Sequence, residues 1–130
     1  MNKETTVSAD KRYNLEDRLL EYAAMIIRIA ERLPATRAGN HIAGQLLRSG
    51  TSPLSNHGEA EAAESRQDFI HKLSISLKEL RESRRWLRLI HKIMNSSSIP
   101  ELAAAMTETD ELIRIFSTSI KTAEKNEPNK

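Results

Sequence analysis

Two adjacent seams run along residues 65–95 at helical spacing, and they constrain the fold more than any other feature. The first seam repeats every three or four residues and consists of Phe69, Leu73, Ser76, Leu80, Ser83, Leu87, Ile90 and Met94. Its serines are small enough for a partner helix to approach closely. The second seam consists of Ile75, Glu79, Glu82, Trp86, Leu89 and Ile93. A surface helix needs only one apolar stripe, so this helix is expected to contact two neighbours or a second subunit.

Capping signals accompany helical periodicity in the other parts of the chain. Asn14 is a predicted N-cap for the first helix, and Pro34 cannot continue that helix. Ser65 opens a capping box ahead of the two seams, and Ser98 opens another ahead of the last helix. A further helical pattern starts near Asn40. We therefore predict four helices, over residues 14–33, 40–64, 66–95 and 99–123.

Four amphipathic helices with short connections predict an all-α fold, an up-and-down antiparallel four-helix bundle without a sheet. The five aromatic residues and four glycines of the chain are too few for a β-sandwich or barrel. At 130 residues the chain is one domain. We expect a disordered tail over residues 1–13, the bundle over 14–123 and a second disordered tail over 124–130.

The stretch RSGTSPLSNHGEAEAAES, residues 48–65, mixes turn formers with helix formers. Pro53 has no N–H, and its ring clashes with the carbonyl four residues earlier in a helix. The alanines that follow favour resumption of the helix. We interpret the stretch as the second half of a kinked second helix, bent between Gly50 and Pro53, rather than as a linker.

A group of polar residues is expected where this kinked helix meets the second seam. The members are Arg48, Asn56, Glu59 and Glu79. Convergent charged groups in a bundle can form a site. They can also fix the register of two helices, because a half-buried arginine needs a carboxylate partner. We favour the structural role.

The charge of the chain is uneven, although its net charge is only +2. Residues 66–95 hold eight Lys and Arg against three Asp and Glu. Five of these cations recur at helical spacing and form what we name the basic stripe: Lys78, Arg81, Arg85, Arg88 and Lys92. The stripe extends about 20 Å along a helix and suits sequence-independent attraction to a phosphate backbone. The alternative is a solvated face that pairs with acids of the second and fourth helices.

No aromatic residue interrupts the basic stripe, so neither base stacking nor sequence readout is indicated. The second seam gives a separate prediction. Because a single bundle covers only one seam of each helix, we expect the chain to self-associate. The residues of this predicted interface are Ile75, Trp86, Leu89 and Ile93.

The sequence gives no support for catalysis, a cofactor, a metal or a small-molecule substrate. It has no cysteine and none of the common glycine-rich phosphate-binding or hydrolase motifs. Only Asp68-x-x-His71 approximates half of a di-iron motif. The four histidines, His41, His57, His71 and His91, are interpreted as surface or helix-end residues. Without a signal-peptide pattern or an uncharged apolar span, we expect a cytoplasmic protein that does not enter a membrane.

Several short motifs occur in a specific order. They are ERLPATRAGNHIAGQLLRSGTS at residues 31–52, N-x-x-E-A at 56–60, ESRQDFIHKL at 64–73 and KELRESRRWLRLI at 78–90. Across roughly residues 15–95 the chain resembles the bacterial proteins first noticed as products of intervening sequences in 23S ribosomal RNA. It departs from the pattern of that family at Pro53, Leu54 and Ser55.

This resemblance implies a four-helix bundle, homopentameric rings and a largely unassigned function. A more distant similarity is to the accessory protein of diversity-generating retroelements, a basic pentameric bundle that works with a reverse transcriptase and nucleic acid. Two hypotheses therefore stand. The chain is either a non-enzymatic homo-oligomer that binds RNA or DNA, or a purely structural scaffold without a nucleic-acid ligand.

Overall fold

The computed structural model describes residues 7–94 and 96–126, which form four α-helices and no strand. The helices are α1 (Val7–Glu31), α2 (Arg37–Glu61), α3 (Arg66–Ile93) and α4 (Leu102–Lys125). A short 3₁₀ turn, Ser96–Ser98, precedes α4. The predicted all-α four-helix fold is confirmed.

Contacts between the helices show that neighbours run antiparallel. Arg48 of α2 pairs with Glu79 of α3, whereas Glu59, later in α2, pairs with Lys72, earlier in α3. The same reversed order relates α1 to α2, α3 to α4 and α4 to α1. The bundle is therefore up-and-down, with α1 and α3 at diagonal corners.

The helix boundaries differ from the predicted ones by at most three residues, except at the start of α1, which lies seven residues earlier. Helix α1 begins at Val7, so residues 7–13 form its first turns and the predicted N-cap at Asn14 is wrong. These residues include neither glycine nor proline, the two types least compatible with a helix. The predicted cap at Ser98 is wrong, since α4 begins only at Leu102 after Glu101. Ile99 is buried in the core, so the chain must turn inward before the helix can start.

The capping box at Ser65 is confirmed, because its hydroxyl accepts the N–H of Asp68 at 3.0 Å. Helix α4 continues to Lys125, two residues into the stretch predicted as the C-terminal tail. The remaining tail positions, residues 1–6 and 127–130, lie outside the described residues.

Helix α2 runs unbroken through Gly50 and Pro53. As predicted, the residues after the proline are helical and do not form a linker. Nearby side chains bond to the backbone of this helix. The Thr51 hydroxyl donates to the Leu47 carbonyl at 2.7 Å, and the Asn56 amide donates to the Ser52 carbonyl at 3.1 Å. The predicted bend stays a prediction.

The first seam of α3 faces the core, as predicted. Its central residues, Leu73, Ser76, Leu80, Ser83, Leu87 and Ile90, are all buried. They pack with large buried side chains of the other helices, among them Ile26, Leu46, Leu112 and Phe116. Burial of this seam is the main hydrophobic contribution of α3 to stability.

Four buried hydroxyl groups, one from each helix, form two short hydrogen-bonded pairs inside this core. Ser83 of α3 donates to Ser49 of α2 at 2.9 Å. Thr109 of α4 donates to the Ala105 carbonyl at 2.6 Å, which leaves its oxygen to accept the hydroxyl of Tyr22 from α1 at 2.7 Å. These bonds fix the register of facing helices, since a shift would leave buried polar groups unpaired.

Burial raises the pKa of Tyr22 to about 12 from its ordinary value of 10.0. Below pH 10 both folded and unfolded chains hold the phenol proton, and the contribution of Tyr22 to stability is complete. As the pH rises towards 12 the unfolded chain ionises first, so wild type should lose about 2 kcal/mol more stability than Tyr22→Phe. Chemical unfolding of both proteins at about pH 9 and about pH 12 measures this difference. An equal loss in the two proteins would contradict the prediction.

Candidate functional site

The basic stripe lies on the outward face of α3. At 100° per residue its five members fall within an arc of about 80°, nearly opposite the buried seam. All five side chains are exposed. Among the side chains described, those of residues 15–94 and 97–126, none of them forms an ion pair.

Several acids near the stripe are engaged by other cations. Asp110 of α4 pairs with Arg84 at 3.4 Å, and Arg84 lies beside the stripe without belonging to it. Glu59 of α2 pairs with Lys72 at 2.8 Å, and Glu79 and Glu82 of α3 itself both pair with Arg48 of α2. The alternative in which the stripe pairs with acids of α2 and α4 therefore has no support among the described contacts.

An open groove of about 830 Å³ covers part of the stripe. Its lining combines Lys78, Arg81 and Arg85 with the apolar side chains of Trp86 and Leu89. Residues of the second seam and of the basic stripe therefore line the same groove. Leu89 bridges the two faces, because it projects between Lys78 and Trp86 on the helical wheel.

The predicted interface residues become more exposed towards the C-terminal end of α3. Ile75 and Trp86 are half-buried, whereas Leu89 is 39% exposed and Ile93 is 60% exposed. The indole N–H of Trp86 donates to Glu82 at 3.2 Å, and His41 of α2 packs edge-on against the ring. We name Trp86, Leu89 and Ile93 the α3 patch.

A second exposed apolar surface was missed by the sequence analysis. It is on α1, where Leu20 is 56% exposed and Ile27 is 45% exposed. With Leu89 and Ile93, these are the exposed large hydrophobic residues in the part of the chain that the structure describes. Their spacing of seven residues was the available signal, hidden by the stronger core seam of the same helix.

The predicted polar cluster is only partly assembled. Arg48 pairs with Glu79 at 3.1 Å and also with Glu82, a partner that was not predicted. Asn56 bonds within its own helix to the side chain and carbonyl of Ser52. Glu59 faces Lys72 at 2.8 Å, and this hydrogen bond raises the pKa of Lys72. The four predicted residues therefore do not meet at one place, because Asn56 and Glu59 find nearer partners.

His57 is buried, which corrects its interpretation as a surface or helix-end residue. Its Nδ1 atom lies 2.9 Å from a carboxylate oxygen of Glu16, and its ring packs edge-on against Phe116. It contributes to an open cleft of about 760 Å³ to which all four helices contribute, with Arg18 and Phe69 also in the lining. The histidines at 41, 71 and 91 are exposed, as predicted.

Neither a metal cluster nor a membrane span is found in the described part of the chain. No group of three or more His, Asp or Glu side chains there could hold a metal ion. None of the helices within residues 7–94 and 96–126 combines the length and apolar character needed to cross a bilayer. Both Asp68 and His71 of the partial di-iron motif are exposed.

The helix order and the antiparallel packing define an all-α four-helix-bundle protein. The family model for the 23S rRNA-intervening sequence protein matches residues 11–118, and the chain belongs to this family. The chain is also similar to a crystal structure from Bacteroides thetaiotaomicron VPI-5482, described as a protein with unknown function from the S23 ribosomal protein family. The two share 33% identity with a TM-score of 0.72, over 82% of this chain and 97% of that chain. A comparison with curated proteins finds no match.

Proposed function

We propose that this protein is a non-enzymatic, homo-oligomeric four-helix bundle that binds the phosphate backbone of RNA or DNA through the basic stripe. One observation carries the proposal. Five cations stand in a single exposed row on α3, and no acid in residues 15–94 or 97–126 pairs with any of them. The name of the family fits a nucleic-acid context.

The physical basis of binding is the release of counterions from the polyanion. Each cation that neutralises a phosphate contributes about 0.9 units to the slope of log affinity against log salt on duplex DNA. The stripe spans about 20 Å, which is enough to meet several phosphates. Because the contacts are to the backbone, binding should not depend on base sequence.

Self-association would strengthen this binding. The α3 patch lies beside the stripe, so assembled subunits present several copies of the stripe to one polyanion, and weak attractions act together. The family resemblance leads us to expect five subunits. The exposed apolar residues by themselves support only an assembly of more than one copy.

The test removes charge from the stripe and, separately, from other exposed positions. Lys78→Ala/Arg81→Ala/Arg88→Ala should weaken binding to a structured RNA or a DNA duplex roughly 100- to 1000-fold at low salt and reduce the salt slope by about three units. The matched control is Arg37→Ala/Lys121→Ala/Lys125→Ala, which removes three exposed cations without an ion pair among the described residues. Titration monitored by fluorescence anisotropy at several salt concentrations measures both quantities.

Equal losses in the two triple variants would show that only net charge matters and would contradict a role for the stripe. Absence of wild-type binding at low salt would also overturn the nucleic-acid proposal. The protein would then be a structural or protein-interaction scaffold without a nucleic-acid ligand. Circular dichroism of each variant should match the wild type, because the replaced side chains are exposed.

A further inference from the structure

Helix α1 carries a second exposed apolar surface, and the unpaired charges beside it are opposite in sign to those beside the α3 patch. Leu20 and Ile27 are exposed along one side of α1. Asp17, Glu21 and Glu31 lie beside them, exposed and without an ion pair to the side chains of residues 15–94 and 97–126. We name Leu20 and Ile27, with these three acids, the α1 face.

The α3 patch has cations at its border instead. Leu89 and Ile93 are exposed, and Arg85 and Lys92 lie at neighbouring positions on the helical wheel. These two cations belong to the unpaired stripe described above. The two surfaces are therefore complementary. The apolar residues on α1 are bordered by unpaired acids, and those on α3 are bordered by unpaired cations.

The two surfaces also have similar lengths. Leu20 and Ile27 are two helical turns apart, about 10 Å along α1, and Trp86 and Ile93 are the same distance apart on α3. Repeats of seven residues on two helices can pack side by side over this length. A single chain cannot join them, because α1 and α3 occupy diagonal corners of its bundle.

Charge discriminates between the three ways in which two copies could meet. Pairing of two α3 patches would bring Arg85 and Lys92 towards the same cations of the other copy. Pairing of two α1 faces would bring acids together. Only contact of α1 with α3 buries both apolar surfaces and places opposite charges at the border, and like-charge contacts are unfavourable by several kcal/mol in general.

We propose that the α1 face of one copy docks on the α3 patch of the next copy, an inference that rests on the self-association in the proposed function and names both of its surfaces. Such an interface is heterologous, so each copy uses one surface on each side, and the assembly closes as a ring or continues as a filament. Arg85 and Lys92 then meet acids of the neighbouring copy. Arg81 and Arg88, further round the helix, stay available for a polyanion.

A mixing experiment tests this arrangement with two variants that each disable one surface. The α1 variant is Leu20→Asp/Ile27→Asp, and the α3 variant is Leu89→Asp/Ile93→Asp. Each variant alone should be monomeric by light scattering at micromolar concentration. An equimolar mixture should form a complex of two chains and no larger species, because each variant retains the surface that the other has lost.

Other results distinguish a failure of the contact between α1 and α3 from a failure of self-association through the α3 patch. If the α3 variant is monomeric while the α1 variant assembles like the wild type, the α1 face is not used, although association through α3 stands. If both variants assemble fully, association through the α3 patch is itself wrong. A mixture that stays monomeric contradicts the heterologous pairing.

Charge reversal supplies a second test that leaves the apolar residues intact. Asp17→Lys/Glu31→Lys should weaken wild-type association at least tenfold at low salt, and Arg85→Glu/Lys92→Glu should do the same. Combining all four replacements in one chain should restore assembly. Failure of this combination to recover any association would overturn the predicted contact between α1 acids and α3 cations.

Discussion

Replacing Gly39 by alanine is expected to lower the free energy of unfolding by about 3 kcal/mol. A Cβ atom at this position would lie 1.9 Å from the carbonyl oxygen of Pro34, in the tight connection between α1 and α2. Backbone atoms cannot move aside as the end of a flexible side chain can. The hydrogen bond from the Gly39 N–H to the Thr36 hydroxyl at 3.0 Å would be disturbed as well.

Gly44 provides the control, because it lies in the same helix. An added Cβ at Gly44 meets nothing within 4 Å, and the position is exposed. Gly44→Ala should therefore raise stability by about 0.5–1 kcal/mol through the higher helix propensity of alanine. Chemical unfolding at low protein concentration measures both variants. If both substitutions changed the free energy of unfolding in the same direction, close packing around Gly39 would not be the reason that a glycine is needed there.

Leu87→Ala is expected to reduce the free energy of unfolding by about 2–5 kcal/mol. Leu87 is fully buried in the first seam of α3. Removing its outer carbons loses apolar burial and leaves a cavity that the surrounding helices fill only partly. The measurement is unfolding by denaturant at a concentration where the protein is monomeric.

Leu89→Ala, two residues further along the same helix, should separate folding from association. Leu89 is 39% exposed, so the monomer should lose less than about 1 kcal/mol. Its association, measured by the concentration dependence of light scattering, should weaken instead. A large loss of monomer stability would mean that Leu89 belongs to the core, and unchanged association would remove it from the interface.

The candidate site could be predicted only in part. The five cations of the stripe were identified from their spacing, since a 3.6-residue period places them on one face wherever the helix packs. Their lack of acid partners depends on Arg48 and Arg84, which engage the nearby carboxylates across helix boundaries. The exposed face of α1 was missed because one helix carries two periodic patterns, and only packing decides which of them is covered.

The sequence by itself determined the helical class, the core seam of α3 and the cap at Ser65, because these depend on spacing and on neighbours within one turn. The tertiary structure decided which polar groups meet. His57 is buried through contacts with Glu16 of α1 and Phe116 of α4, and the predicted cap at Ser98 is displaced by the burial of Ile99. Such contacts join residues far apart in the chain, so their geometry is set only when the helices pack against one another.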